Sequence, residues 1–103
     1  MENVNVMGLV PYTLKEGVSE ADFLVAHEKY VSESVSKTKG FISCTILSDG
    51  DKWYDLAAWE SMEALQKAFE DLQEDTNAAK IMSLINQEGS DDDIPLFSVV
   101  KKY

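Results

Sequence analysis

Arginine is missing from this sequence: all nine basic residues are lysine, set against 19 Asp and Glu for a formal net charge of −10. Without a guanidinium there is no planar fork to grip a carboxylate or phosphate bidentately. So acidic a chain also repels nucleic acid and anionic membrane, both of which demand clustered Lys and Arg. Neither is an expected partner, and a neutral or apolar small molecule is the ligand class left open. There is one cysteine, so an intrachain disulfide is excluded, in keeping with a reducing compartment. Long apolar runs are absent too: nothing approaches the roughly 18 consecutive residues that span a bilayer. Met1-Glu2-Asn3 lacks the basic start of a secretion signal, so a cytoplasmic location is expected. Asp49-Gly50-Asp51 and Asp91-Asp92-Asp93 have neither EF-hand spacing nor the His and Cys that zinc requires, and read as solvated turns with no metal. Gly8 and Gly17 are isolated, so no glycine-rich phosphate or dinucleotide loop is present and no cofactor is expected.

What is there is enough for one folded domain over residues 1–103, with 45% hydrophobic residues spread along the chain. Val4 to Tyr12, apolar and β-branched, reads as a strand closed by Pro11 and Lys15-Glu16-Gly17. Ser19 predicts a helix N-cap, and Glu20 to about Lys37 runs without Gly or Pro until Gly40 stops it. Phe41–Ser48 and Trp53–Trp59 read as antiparallel strands joined by an Asp-Gly hairpin. Ser61 then caps a helix with Leu65, Ala68, Phe69 and Leu72 at i, i+3, i+4 and i+7. Thr76 would cap a second series with Ala78, Ile81, Met82 and Ile85, ended by Gly89, so this region is one helix kinked near Asp75 or two. Pro95 to Tyr103 reads as the last strand.

Strand, helix, strand, strand, helix, strand is the ferredoxin-like βαββαβ order of an α+β fold, an antiparallel sheet with its helices on one face. The strands, however, are apolar on both sides. Phe41, Thr45 and Leu47 oppose Ile42, Cys44 and Ile46, and Phe97 and Val99 oppose Leu96 and Val100. The face without helices therefore needs cover, and a second copy of the chain is the expected source, making a homodimer.

Lys39-Gly40-Phe41-Ile42, the Asp-Gly hairpin, a third strand ending Trp59-Glu60-Ser61 and a helix with Glu63 and Ala64 resemble the antibiotic-biosynthesis monooxygenase superfamily. The resemblance runs from about Val4 to Tyr103. It implies a dimeric α+β barrel with a cleft between each sheet and its own helices. In catalytic members the cleft takes an aromatic reducible substrate such as an anthrone or quinol, which activates oxygen without flavin or metal. Haem-degrading members carry a His and a Trp in helical positions that have no counterpart here, since Ser61 to Gly89 contains neither.

Several residues are candidates for such a cleft. His27, the only histidine, falls within about 40° of Phe23 on the apolar face of the first helix. It reads as a candidate general base, or else as a packed core histidine. Ser34 and Thr38 lie near the same bearing and extend an inward polar stripe. Trp59 matches the superfamily's frequent strand-to-helix Trp, and Asp55 points to the same side. Where the oxygenases hold an oxyanion with an amide, Asp55 offers a carboxylate, a base in place of a binder. Tyr30 and Asn5 complete the substrate-contacting set, with Tyr12 and Tyr54 as further phenol donors. For each, plain packing is the alternative, as it is for Trp53. Cys44 lacks a cationic neighbour in sequence and is not read as a nucleophile. The leading functional expectation is a cofactor-independent monooxygenase acting on a neutral aromatic or polyketide-like molecule. The alternatives are a non-catalytic dimeric binding or accessory protein, and an isomerase or lyase of the same fold.

Overall fold

The computed structural model describes residues 5–87, 95–101 and 103. The first strand, β1, spans Val6–Leu14 and leads to helix α1, Glu20–Glu33. Ser19 Oγ accepts the Asp22 amide at 3.1 Å, the cap its sequence position predicted. The helix ends earlier than Lys37: Ser34 leaves helical geometry at φ −122°, and Val35–Lys37 forms a separate 3₁₀ turn. Gly40, at φ +84°, then admits the chain to β2, Phe41–Asp49. Strand β3, Lys52–Trp59, returns antiparallel to β2 through a turn in which Gly50 has φ +63°.

The region after Trp59 holds two helices, α2 (Met62–Leu72) and α3 (Thr76–Leu84). Ser61 Oγ caps α2 by accepting the Ala64 amide at 3.1 Å. The cap of α3 is Asp75, not Thr76; its Oδ2 accepts the Ala78 amide at 2.9 Å. Ile85, read from sequence as the last residue of the helical series, instead starts strand β4, Ile85–Gln87. Its backbone is extended at φ −124° and ψ 159°, and its side chain is still buried with Tyr12, Phe23 and Ile81. Either conformation would satisfy the apolar spacing, which is why the pattern alone misplaced it. The last strand is also shorter than predicted: β5 covers only Leu96–Ser98. Val4, Gly89 and Asp91–Asp93 lie outside the described residues.

The sheet order is β2-β3-β1-β4, with β5 also paired to β1. β4 pairs with Tyr12–Leu14 and β5 with Val6–Gly8, so the two short segments share one strand position along β1. Both buried clusters lie on the helix side. One joins Val6, Ala57 and Trp59 to Val35, Leu65 and Ala68, and the other joins Tyr12 to Phe23, Ile81 and Ile85. A bulge between Phe41 and Ser43 changes the side of Phe41, which was expected to face with Thr45 and Leu47. It packs edge-on against Trp59 at 5.6 Å, among the helix-side residues. The opposite face carries Met7, Leu9, Tyr54 and Leu56, together with Leu47 and Phe97, which are 41% and 50% exposed. Among the described residues, no helix is long and apolar enough to cross a membrane.

Candidate functional site

Three elements, α1, β3 and β1, make the polar centre of the helix side. Periodicity aims His27 inward from α1, where it is 4% exposed, with its ring between Phe23 (5.6 Å) and Tyr30 (6.1 Å, edge-on). Alternation along β3 aims Asp55 at the same region, and β1 supplies Tyr12 diagonally across the pair, since Val10 is opposite Asp55 and Tyr12 opposite Trp53. The carboxylate of Asp55 is satisfied at both oxygens. The Tyr12 hydroxyl donates to Oδ1 at 2.7 Å, and His27 Nε2–H donates to Oδ2 at 2.8 Å. A carboxylate partner calls for the proton on Nε2, which leaves the Nδ1 lone pair as the acceptor of the neutral ring.

The groups around this carboxylate are held neutral. Burial pushes the Tyr12 phenol well above its ordinary range, and the charge and hydrogen bond of Asp55 push it further. Tyr30 is raised for the same two reasons, burial first and Asp55 second. The Cys44 thiol is pushed up to about 12 by burial and then by Asp55. Cys44 is therefore a thiol near neutral pH, in line with its not being read as a nucleophile. Even so, the donor atoms of His27, Cys44 and Asp55 all lie within 4.8 Å of one another. No motif spacing in the sequence announces that cluster, because each residue comes from a different element.

Two spaces adjoin the centre. A partly open cavity of about 60 Å³ is lined by Tyr30, Cys44, Asp55, Trp59, Phe69 and Leu72, among others. An open groove of about 470 Å³ runs between α1 and β2, bordered by His27, Glu28, Val31, Cys44, Thr45 and Ile46, among others. The cavity has room for one or two waters, whereas the groove falls in the range of small-molecule sites. Cys44 is common to both linings.

The structure thus brings His27, Asp55, Tyr30 and Trp59 to one region and leaves three expected residues, Ser34, Asn5 and Thr38, outside it. Ser34 was expected to continue the polar stripe of His27, but α1 ends before it. Its hydroxyl donates to Asp75 Oδ2 at 2.8 Å and accepts from Asn77 Nδ2 at 3.0 Å, which ties the end of α1 to the start of α3. That bond, ahead of the Ala78 amide, holds the Asp75 carboxyl below the ordinary aspartate value. Asn5 is exposed just before β1, where its side-chain amide donates to the Glu60 carbonyl. Thr38 also stays off the stripe, accepting the Trp59 indole N–H at 3.4 Å. Tyr12, named in sequence only as a phenol donor, is the addition; its side is legible from alternation with Leu9 and Pro11, but its partner is not.

No protein-family model and no curated protein matches this chain. Solved structures do. SnoaB, a cofactor-independent oxygenase from Streptomyces nogalater, superposes with a TM-score of 0.75 at 17% identity, over 96% of each chain. The monooxygenase from the gene ActVA-Orf6 of Streptomyces coelicolor, in complex with nanaomycin D, gives a TM-score of 0.66 at 18% identity, over 97% of this chain and 89% of that one. A putative antibiotic biosynthesis monooxygenase from Chloroflexus aurantiacus gives a TM-score of 0.65 at 16% identity, over 95% and 96%. The superpositions run over nearly the whole length, so the chain has the fold of the antibiotic-biosynthesis monooxygenase superfamily that its sequence resembles.

Proposed function

We propose that this protein is a cofactor-independent monooxygenase that oxidises a neutral aromatic molecule of the anthrone or quinol class. The observation that carries the reading is the array Tyr12–Asp55–His27, in which a carboxylate fixed at both oxygens orients an imidazole that borders a groove of about 470 Å³. In this role His27 Nδ1 takes the proton from the activated carbon or hydroxyl of the substrate, and Asp55 stabilises the imidazolium that forms. The substrate anion reduces molecular oxygen, a carbon–oxygen bond replaces the carbon–hydrogen bond, and loss of water leaves a carbonyl. Val31 and Ile46 give the groove an apolar lining suited to a fused ring, and the absence of arginine agrees with a substrate that carries no anionic group. The fold shared with SnoaB and ActVA-Orf6 supports the same reading.

The working unit in this proposal is a homodimer joined through the helix-free sheet face, where Leu47 and Phe97 stand about half exposed beside Met7, Leu9 and Leu56. The test is oxygen uptake by the purified protein across a panel of anthrones and quinols. Turnover is expected for at least one member, falling by about 100-fold or more in His27→Ala, as general-base removal typically does, and also falling in Asp55→Asn. Uptake unchanged in both variants, or ligand binding without turnover anywhere in the panel, overturns the reading; the second result would point to the binding-protein alternative.

A further inference from the structure

The side chain of Asp55 is 17% exposed; its hydrogen-bond partners are Tyr12 and His27, and every lysine among the described residues is exposed. Among the described ionisable groups around it, Tyr12, Tyr30 and Cys44 are neutral or negative, and His27 alone can carry positive charge. This pocket is thus poor in positive charge while holding three donors of different softness, an imidazole nitrogen, a thiol sulfur and a carboxylate oxygen, all within 4.8 Å of one another. We propose that His27 Nε2, Cys44 Sγ and Asp55 Oδ2 form a binding site for a thiophilic divalent cation of the zinc class, with further coordination open to water or a ligand.

A tetrahedral zinc sets its ligand atoms about 3.4–3.6 Å apart, so the sulfur, now within 4.8 Å of the other two, closes to about 3.6 Å. Zinc takes sulfur at about 2.3 Å and nitrogen or oxygen at about 2.0–2.2 Å. Nε2 and Oδ2 are 2.8 Å apart; opening that separation to about 3.4 Å gives a tetrahedral angle at an ion between them. Tyr12 already holds the other carboxylate oxygen, the kind of outer hydrogen bond that orients a metal-binding carboxylate. On binding, the Cys44 S–H loses its proton to solvent as the metal–sulfur bond forms. The His27 proton moves from Nε2 to Nδ1, freeing the Nε2 lone pair for the ion. No electron changes hands. Because the ion occupies the same His27–Asp55 pair, binding and proton transfer by that pair exclude each other.

The probe is cobalt(II), added to the full-length, untagged protein after chelator treatment, with zinc(II) as competitor. One cobalt per chain is expected, with sulfur-to-cobalt charge-transfer absorption in the near ultraviolet that zinc abolishes. Cys44→Ser should lose that absorption, and Tyr12→Phe should keep it while binding about 10–100-fold more weakly, the usual cost of losing an outer-shell hydrogen bond. Circular dichroism checks that each variant is folded, and Cys44→Ala serves if Cys44→Ser is not. Absence of the charge-transfer band, its persistence without Cys44, or equal cobalt affinity in wild type and Asp55→Asn overturns the site. These readouts are independent of oxygen uptake, so the site and the proposed reaction can fail separately.

Discussion

Removing the Tyr12 hydroxyl isolates one bond of the polar centre. In Tyr12→Phe the ring, 1% exposed, keeps its packing against Phe23 at 5.6 Å, and only the 2.7 Å bond to Asp55 Oδ1 is lost. A hydrogen bond to a charged acceptor is worth about 1.5–3 kcal/mol, and the oxygen left behind is mostly shielded from water. With a urea slope of about 1.5 kcal/mol/M, the expected loss moves the unfolding midpoint down by roughly 1–2 M. Asp55→Ala and the double variant complete a cycle whose coupling energy should be about 1–2 kcal/mol. All four proteins are compared at one concentration, since self-association stabilises by mass action. If the two single effects add to within about 0.5 kcal/mol in the double variant, the phenol does not hold the carboxylate. The reasoning that Asp55 is fixed at both oxygens, and with it the orientation of His27, then fails.

Gly40 and Gly50 both have positive φ but differ in surroundings. A Cβ at Gly40 would lie 2.6 Å from that of Ala64 on α2, whereas at Gly50 nothing is within 4 Å. Gly50→Ala should therefore cost only the left-handed backbone penalty, about 1–2 kcal/mol, while Gly40→Ala adds about 1–3 kcal/mol of overpacking; equal losses in urea unfolding would contradict the packing of α2 on the start of β2. The Ser34–Asp75 tie carries a pH signature. Because the folded Asp75 is held below the ordinary 3.8, its stabilisation is complete above that value and is lost as pH falls through the folded one. The stability gap between wild type and Ser34→Ala should thus be widest near neutral pH and narrow in acid, and a gap of constant size in thermal unfolding would mean that the carboxylate plays no part.

Elements whose cause lies within a few residues were legible in advance. Ser19 and Ser61 cap their helices where the sequence placed them, Gly50 turns the hairpin, and the 3.6-residue repeat of α1 buried His27 beside Phe23. Alternation also put Asp55 and Trp59 on one side of β3, where both line the smaller cavity. The bulge at Phe41 and Ser43 escaped because one extra residue reverses side-chain parity without altering composition. Ile85 escaped because burial beside Ile81 is reached from a helix or a strand alike.

The sequence by itself determined the elements, the inward direction of His27 and Asp55, and the apolar character of both sheet faces, since caps, turns and side-chain periodicity act over one to four residues. Only the tertiary structure decided what those side chains meet. Tyr12 reaches Asp55 across 43 positions, His27 reaches it across 28, and Ser34 leaves the site for Asp75 across 41. Each pairing depends on the register of β1 against β3, the seating of α1 on the sheet or the docking of α1 against α3, which the whole core sets together and no local pattern encodes.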